Sequence, residues 1–189
     1  MQEIISYRFI LPRIFVAALL PDYIKKDISR ILIDADKSFF GVKWEKASKV
    51  HITLKFIGSV NNETGEDVLS KVNGIAAKTT HINVSFSHID AFPDFRKPRV
   101  LALRLKNSKE LHDLNSLIED ELSVLGIKKE GRKFIPHITI GRIKNGFRVL
   151  DKSIKLNSTE FIIRDIGVIK SNLKKEGSEY INLGVYKLS

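Results

Sequence analysis

The chain has 189 residues, 43% of them hydrophobic and 29% charged, a balance that suits a folded protein and excludes a disordered one. It has no cysteine, which excludes disulfides, thiolate zinc sites, iron–sulfur clusters and cysteine nucleophiles. Thirty-two Lys and Arg against 22 Asp and Glu leave a net +10, a field that draws polyanions, nucleic acid first; the plainer reading is a Lys- and Ile-rich composition set by genome bias or heat adaptation.

No apolar run is long enough to span a bilayer, and the N-terminus shows no secretory leader pattern, so a cytoplasmic protein without membrane contact is expected. The length suits one domain over residues 1–189, built as two lobes sharing a cleft. Residues 1–12 hold enough Ile, Tyr and Phe for an edge strand or for a loosely packed N-terminal extension. Residues 13–19 read as a buried strand stopped by Pro21-Asp22, with Asp22 placed to cap a helix over 23–37 on Ile24, Ile28, Ile31 and Leu32. A strand over 50–58 ends at Gly58, and Asn62-Glu63 open a helix to about residue 77. Strands follow at 81–89 and 99–105 around a turn at Pro93-Asp94. Ser108 begins a third helix that Gly126 ends. A strand over 134–143, a short helix near 147–155, and strands at 159–169 and 179–187 complete the expectation.

One short pattern occurs twice. His51-Ile52-Thr53-Leu54 stands in the first half and His137-Ile138-Thr139-Ile140 in the second, both in predicted strands. On a strand, alternate side chains share a face, so His and Thr of each copy point one way and the aliphatic residues the other. A single copy reads most simply as a satisfied or surface histidine. Two copies suggest a duplicated unit whose pseudo-twofold axis brings both histidines to one groove. Two facing imidazoles suit in-line hydrolysis of a phosphodiester, which needs a base on the attacking water and an acid on the departing oxygen. The threonine hydroxyls can donate to the non-bridging oxygens, where charge gathers in the transition state.

These residues resemble the two-histidine (2H) phosphoesterases, specifically the bacterial and archaeal RNA 2′,3′-cyclic phosphodiesterases, long called 2′-5′ RNA ligases. The resemblance spans about residues 13–187. It includes Arg13 to Pro21, Trp44, His51 to Gly58, Ala91-Phe92-Pro93, Pro98 to Leu101 and Arg132 to Arg142. It implies an α+β, bilobal fold: a pseudo-twofold duplicated unit with two antiparallel sheets lining a central cleft and helices outside. It also implies opening of a 2′,3′-cyclic phosphate to the 2′-phosphomonoester, with His51 as acid at the 3′-oxygen, His137 as base on water, and Thr53 and Thr139 on phosphate. No metal and no cofactor are expected. The implied partners are RNA ends or tRNA fragments carrying a 2′,3′-cyclic phosphate, or cyclic nucleotides, met by a monomer. Rival readings are a 2′-5′ RNA end-joining enzyme using the same site, and a non-catalytic RNA-binding module. The intact acid–base pair argues against the module, because binding alone does not need one.

Three further residues are candidate substrate contacts. Arg142 follows the second motif and could stack on a base or hold phosphate, yet strict alternation points it away from His137. Phe56 has the same parity problem relative to His51, which favours core packing. Arg132 stands among Lys128, Lys129 and Lys133 ahead of the second motif; Arg96, Lys97 and Arg99 form another basic loop. His81 and His88 lack a matching threonine. His112-Asp113 resembles a metal-phosphohydrolase dipeptide but has no further ligand set in the sequence. No H-E-x-x-H or G-x-x-x-x-G-K occurs, so zinc-hydrolase and P-loop readings lack support.

Overall fold

The computed structural model describes residues 13–106, 109–151, 154, 156, 160–174 and 177–189. The expectations for residues 1–12 and for Ser108 lie outside them. In chain order the elements are β1 (Arg13–Leu19), α1 (Asp22–Asp36), β2 (Phe39–Trp44), β3 (Ile52–Ser59), α2 (Asn62–Ala76), β4 (Ile82–Phe92), β5 (Val100–Lys106), α3 (Lys109–Ser123), β6 (His137–Val149), β7 (Glu160–Ile163), β8 (Asp165–Lys174) and β9 (Gly177–Lys187), with a 3₁₀ turn at Ala47–Lys49.

The fold is α+β. The strands run antiparallel in the order β7-β4-β5-β6-β3-β1-β8-β9, with β2 on the outer half of β6. The two expected sheets are arms of one sheet, joined where Ile52 of β3 pairs with Ile138 of β6. Each arm mixes the two halves of the sequence: β3, β1, β8 and β9 form one arm, while β4 to β7 and β2 form the other. The helices lie against one face of the sheet. Ile14, Val16 and Ala18 of β1 share a core with Ile24 and Ile28 of α1, Val68 and Val72 of α2, and Leu111 and Ile118 of α3. Phe15 and Ala17 alternate to the opposite face, where they pack with Ile169.

Several boundaries differ from the sequence reading. Asp22 is the first helical residue of α1 and does not cap it; the Pro21 carbonyl receives Ile24 N–H and Lys25 N–H at 3.1 Å each. Helix α2 does open at Asn62 as expected, and its cap is Asn61, whose side chain accepts from Thr64 N–H at 2.8 Å. The helix expected near 147–155 is not formed at its start. Phe147, Arg148 and Val149 continue β6, because Phe39 and Phe40 pair with Val149 and Arg148. The strand expected over 159–169 is two strands: β7 pairs with β4, β8 pairs with β1, and the chain crosses between arms at Arg164.

The duplication extends to its irregularities. Ala17 pairs with Thr53 and Val16 with Lys55, so β3 skips Leu54. Ala102 pairs with Thr139 and Leu101 with Gly141, so β6 skips Ile140. Each H-x-T is thus followed by a β-bulge at the same position, and a bulge inverts the alternation beyond it. The freed carbonyls are both satisfied: Asn115 Nδ2 of α3 donates to Leu54 O at 2.8 Å, and Glu45 N–H donates to Ile140 O at 2.9 Å.

Candidate active site

The pairing of Ile52 with Ile138 buries both side chains on the helix face and turns the flanking His and Thr residues to the open face. Because the strands are antiparallel, each histidine stands opposite the threonine of the other copy. The lining of two adjoining grooves reflects this. One groove, of about 400 Å³, holds His51, Thr53 and Thr139; the other, of about 480 Å³, holds His137 and Thr53. Thr53 and Phe56 line both.

The two imidazoles are held alike. His51 Nδ1–H donates to Lys49 O at 2.9 Å, and His137 Nδ1–H donates to Ile135 O at 2.7 Å. A carbonyl can only accept, so each Nδ1 carries the proton and Nε2 is left to gain or lose one. A phenyl ring backs each histidine: Phe15 at 4.9 Å from His51 and Phe92 at 4.8 Å from His137, centroid to centroid. Tyr180 adds an edge contact to His51 at 5.3 Å.

Burial pushes both histidines below their ordinary pKa, and the backbone carbonyls partly oppose it. Their charged neighbours differ. The carboxylate of Glu45 raises His51, whereas the guanidinium of Arg104 lowers His137 further. Arg104 pairs with His137 across β5 and β6, sits 5.5 Å over the Phe92 ring, and reaches Asp90 at 3.9 Å.

The bulges decide the remaining candidates. Phe56 is 73% exposed rather than packed in the core, since skipping Leu54 returns it to the face of Thr53; its ring lies 5.9 Å from Phe15. Arg142 is its counterpart in the second copy, brought to the His51 groove by the skip at Ile140 and held by Glu45 at 3.1 Å. The same inversion drives Lys55 inward to 3% exposure, where its ammonium pairs with Glu119 of α3 and donates to Lys128 O at 3.0 Å. Arg132 stands exposed at the mouth of the His137 groove, 3.8 Å from Glu130. Among the other basic residues, Lys133 lines that groove, while Lys129 pairs with Asp120 and Arg96 with Asp94.

Sequence reasoning gave no role to Phe15, Glu45, Arg104, Asn115 or Tyr180. Phe15 and Phe92 stand in stretches that carry the resemblance, but nothing local marks them as partners of a histidine. Arg104 and Tyr180 come to the site only through strand pairing. Among the described residues, no three His, Asp or Glu side chains converge as a metal-binding group, and no helix is long and apolar enough to cross a membrane.

Known proteins with this architecture include TT0787 of Thermus thermophilus, with a TM-score of 0.83, 22% identity and coverage of 93% of this chain and 97% of that one. Escherichia coli LigT complexed with 3′-AMP aligns with a TM-score of 0.74 and 18% identity over 95% of this chain and 99% of LigT. In sequence, several proteins named RNA 2′,3′-cyclic phosphodiesterase match along nearly their whole length. That of Archaeoglobus fulgidus is 31% identical over 181 residues, 93% of this chain and 99% of the relative. That of Methanocaldococcus jannaschii is 30% identical over 174 residues, 89% and 96%. The family model described as LigT like phosphoesterase matches residues 19–102 and 105–180, a span that takes in both H-x-T copies, and the chain belongs to that family.

Proposed function

We propose that the protein is an RNA 2′,3′-cyclic phosphodiesterase that opens the cyclic phosphate to a 2′-phosphomonoester by metal-independent acid–base catalysis. Its substrates are RNA ends, including tRNA fragments, or cyclic nucleotides. The observation that carries the reading is the matched pair of imidazoles, each with Nδ1 committed to a carbonyl and Nε2 kept for proton transfer. The names of the relatives supply the substrate class.

In this reading water attacks phosphorus as the P–O3′ bond breaks on the opposite side. His137 takes the proton of the water and His51 gives one to O3′, so the enzyme ends with the proton moved from one histidine to the other. Solvent exchange restores the starting state. Glu45 favours the protonated form of His51 and Arg104 the neutral form of His137, which supports this order. Thr53 and Thr139 donate to the non-bridging oxygens. Arg142, Phe56 and Arg132 contact the nucleotide around the reacting phosphate.

The test is incubation with a 2′,3′-cyclic mononucleotide, with and without EDTA. The expected product is the 2′-monophosphate, formed at the same rate in both. Activity lost in EDTA and restored by one divalent ion would sink the metal-free mechanism. A 3′-monophosphate product would move the leaving oxygen to O2′.

A further inference from the structure

Beyond the His51 groove, strand β2 lies along the outer half of β6. Lys43 pairs with Arg142 and Phe40 with Arg148. Phe39 is buried at 1% exposure, so the adjacent Phe40 faces the other way, and it is 40% exposed. Lys43, Arg142, Phe40 and Arg148 therefore share the open face of this arm. Two residues, Gly41 and Val42, separate Lys43 from Phe40, and the strand is irregular at Gly41. The Arg148 guanidinium lies 5.9 Å over the Phe40 ring, a cation–π pair that presents a flat, charged surface. Neither β2 nor β6 contains an acidic residue, while together they hold Lys43, Arg142, Lys144 and Arg148.

The way out of the His137 groove is different. It passes α3, which carries Glu110, Asp113, Glu119, Asp120 and Glu121. Most of these carboxylates are already paired, Glu119 with Lys55, Asp120 with Lys129, Asp113 with Lys109 and Glu121 with Lys71, so a polyanion leaving there meets balanced charge; one leaving along β2 and β6 meets two strands that carry cations, no carboxylate and an exposed ring.

From this contrast, and resting on the activity proposed above, we propose that the β2–β6 arm is a docking surface for single-stranded RNA upstream of the cyclic end. Arg148 and Phe40 form a stacking platform for an unpaired base, and Arg142, Lys43 and Lys144 follow the phosphates. Stacking on an aromatic face tolerates any base, so the arm adds affinity for a strand without reading its sequence.

The experiment compares a 2′,3′-cyclic mononucleotide with a short single-stranded oligonucleotide ending in the same cyclic nucleotide. Phe40→Ala is expected to lower kcat/KM for the oligonucleotide about tenfold, the scale of one lost stacking contact, and to leave the mononucleotide within twofold. Arg148→Gln, which tests the platform if Phe40→Ala folds poorly, is expected to lower oligonucleotide affinity and flatten its salt dependence. Fluorescence anisotropy of a labelled 3′-phosphorylated oligonucleotide reads the same affinities whether or not hydrolysis occurs. Failure of the catalytic proposal, seen as no turnover of either cyclic substrate, is thereby separated from failure of this one. Equal effects on both ligands, or none on either, would overturn the docking surface. So would a selective loss of the oligonucleotide with Arg132→Gln and not with Phe40→Ala or Arg148→Gln, which would send the strand past α3.

Discussion

The two grooves share a skeleton and differ in what surrounds it. Each has a histidine fixed through Nδ1, a threonine from the opposite strand and a bulge three residues after the histidine. Yet the His51 groove is lined by Arg13, Lys49 and Arg142 with Glu45 as its carboxylate, whereas the His137 groove balances Lys55, Arg132 and Lys133 against Glu119 and Glu130. The aromatic rings differ as well: Phe15 and Tyr180 stand on one side, Phe92 and Phe134 on the other. Duplication supplies two equivalent proton carriers, and equivalent carriers cannot divide an acid role from a base role. The division has to come from neighbours that the duplication did not copy. Glu45 at one histidine and Arg104 at the other are such neighbours.

The largest effects should come from removing either carrier. His51→Ala and His137→Ala are each expected to lower turnover about 10²–10⁴-fold, the range for loss of a general acid or base, with folding retained. The double variant should be little worse than either single one, because the pair acts as a unit. A substrate with sulfur at the bridging 3′ position breaks the symmetry, since thiolate leaves without a proton. His51→Ala should recover most of its rate on it and His137→Ala should not. The reverse pattern would exchange the roles, and rescue of neither would make the histidines phosphate-positioning groups.

This division was partly legible in the sequence. Strand alternation alone puts His51 with Thr53 and His137 with Thr139, and the repeat suggests the twofold. The bulges were not legible. Which residue a strand skips is decided by its neighbours, here by Asn115 Nδ2 and by Glu45 N–H, which donate to the carbonyls of Leu54 and Ile140. Strict alternation therefore turned Phe56 and Arg142 the wrong way. Strand β2 escaped for a related reason: Phe39 to Trp44 carries Gly41 at φ +70, where a Cβ would come within 2.7 Å of Phe147 N, so its pattern is broken where β6 bends past it. Residues 159–169 read as one strand because the break at Arg164 is a change of partners and not of composition. Leu188 N–H closes on the Arg164 carbonyl there at 2.8 Å.

The threonines should matter less than the histidines. Thr53→Val and Thr139→Val each remove one donor and keep the shape, with an expected loss on the order of tenfold to several hundredfold in kcat. Thr53 borders both grooves and Thr139 only one, so Thr53→Val is expected to be the more damaging. Equal losses would mean that the phosphate sits on the twofold and ignores the difference between the grooves.

The smallest effect is the most direct test of what the neighbours do. Burial lowers both histidines, so kcat/KM against pH should be a bell centred on the acid side of about 6.5, the ordinary histidine value. The limbs belong to the coupled pair, so the width of the bell cannot say which histidine is the acid. Its height can, because only one of the two singly protonated forms is active. Arg104→Gln removes a positive charge that lowers His137 and so moves the shared proton toward His137. Glu45→Gln removes a negative charge that raises His51 and moves the proton the same way. With His51 as the acid, both substitutions deplete the active form, and the maximum should fall by less than about tenfold, one pKa unit of redistribution. With His137 as the acid, both would raise it. Arg104→Lys and Glu45→Asp keep the charges and should keep the maximum, which separates a displaced proton from a damaged site. A maximum that falls equally in the charge-keeping variants would show that Arg104 and Glu45 hold the site together without biasing the proton.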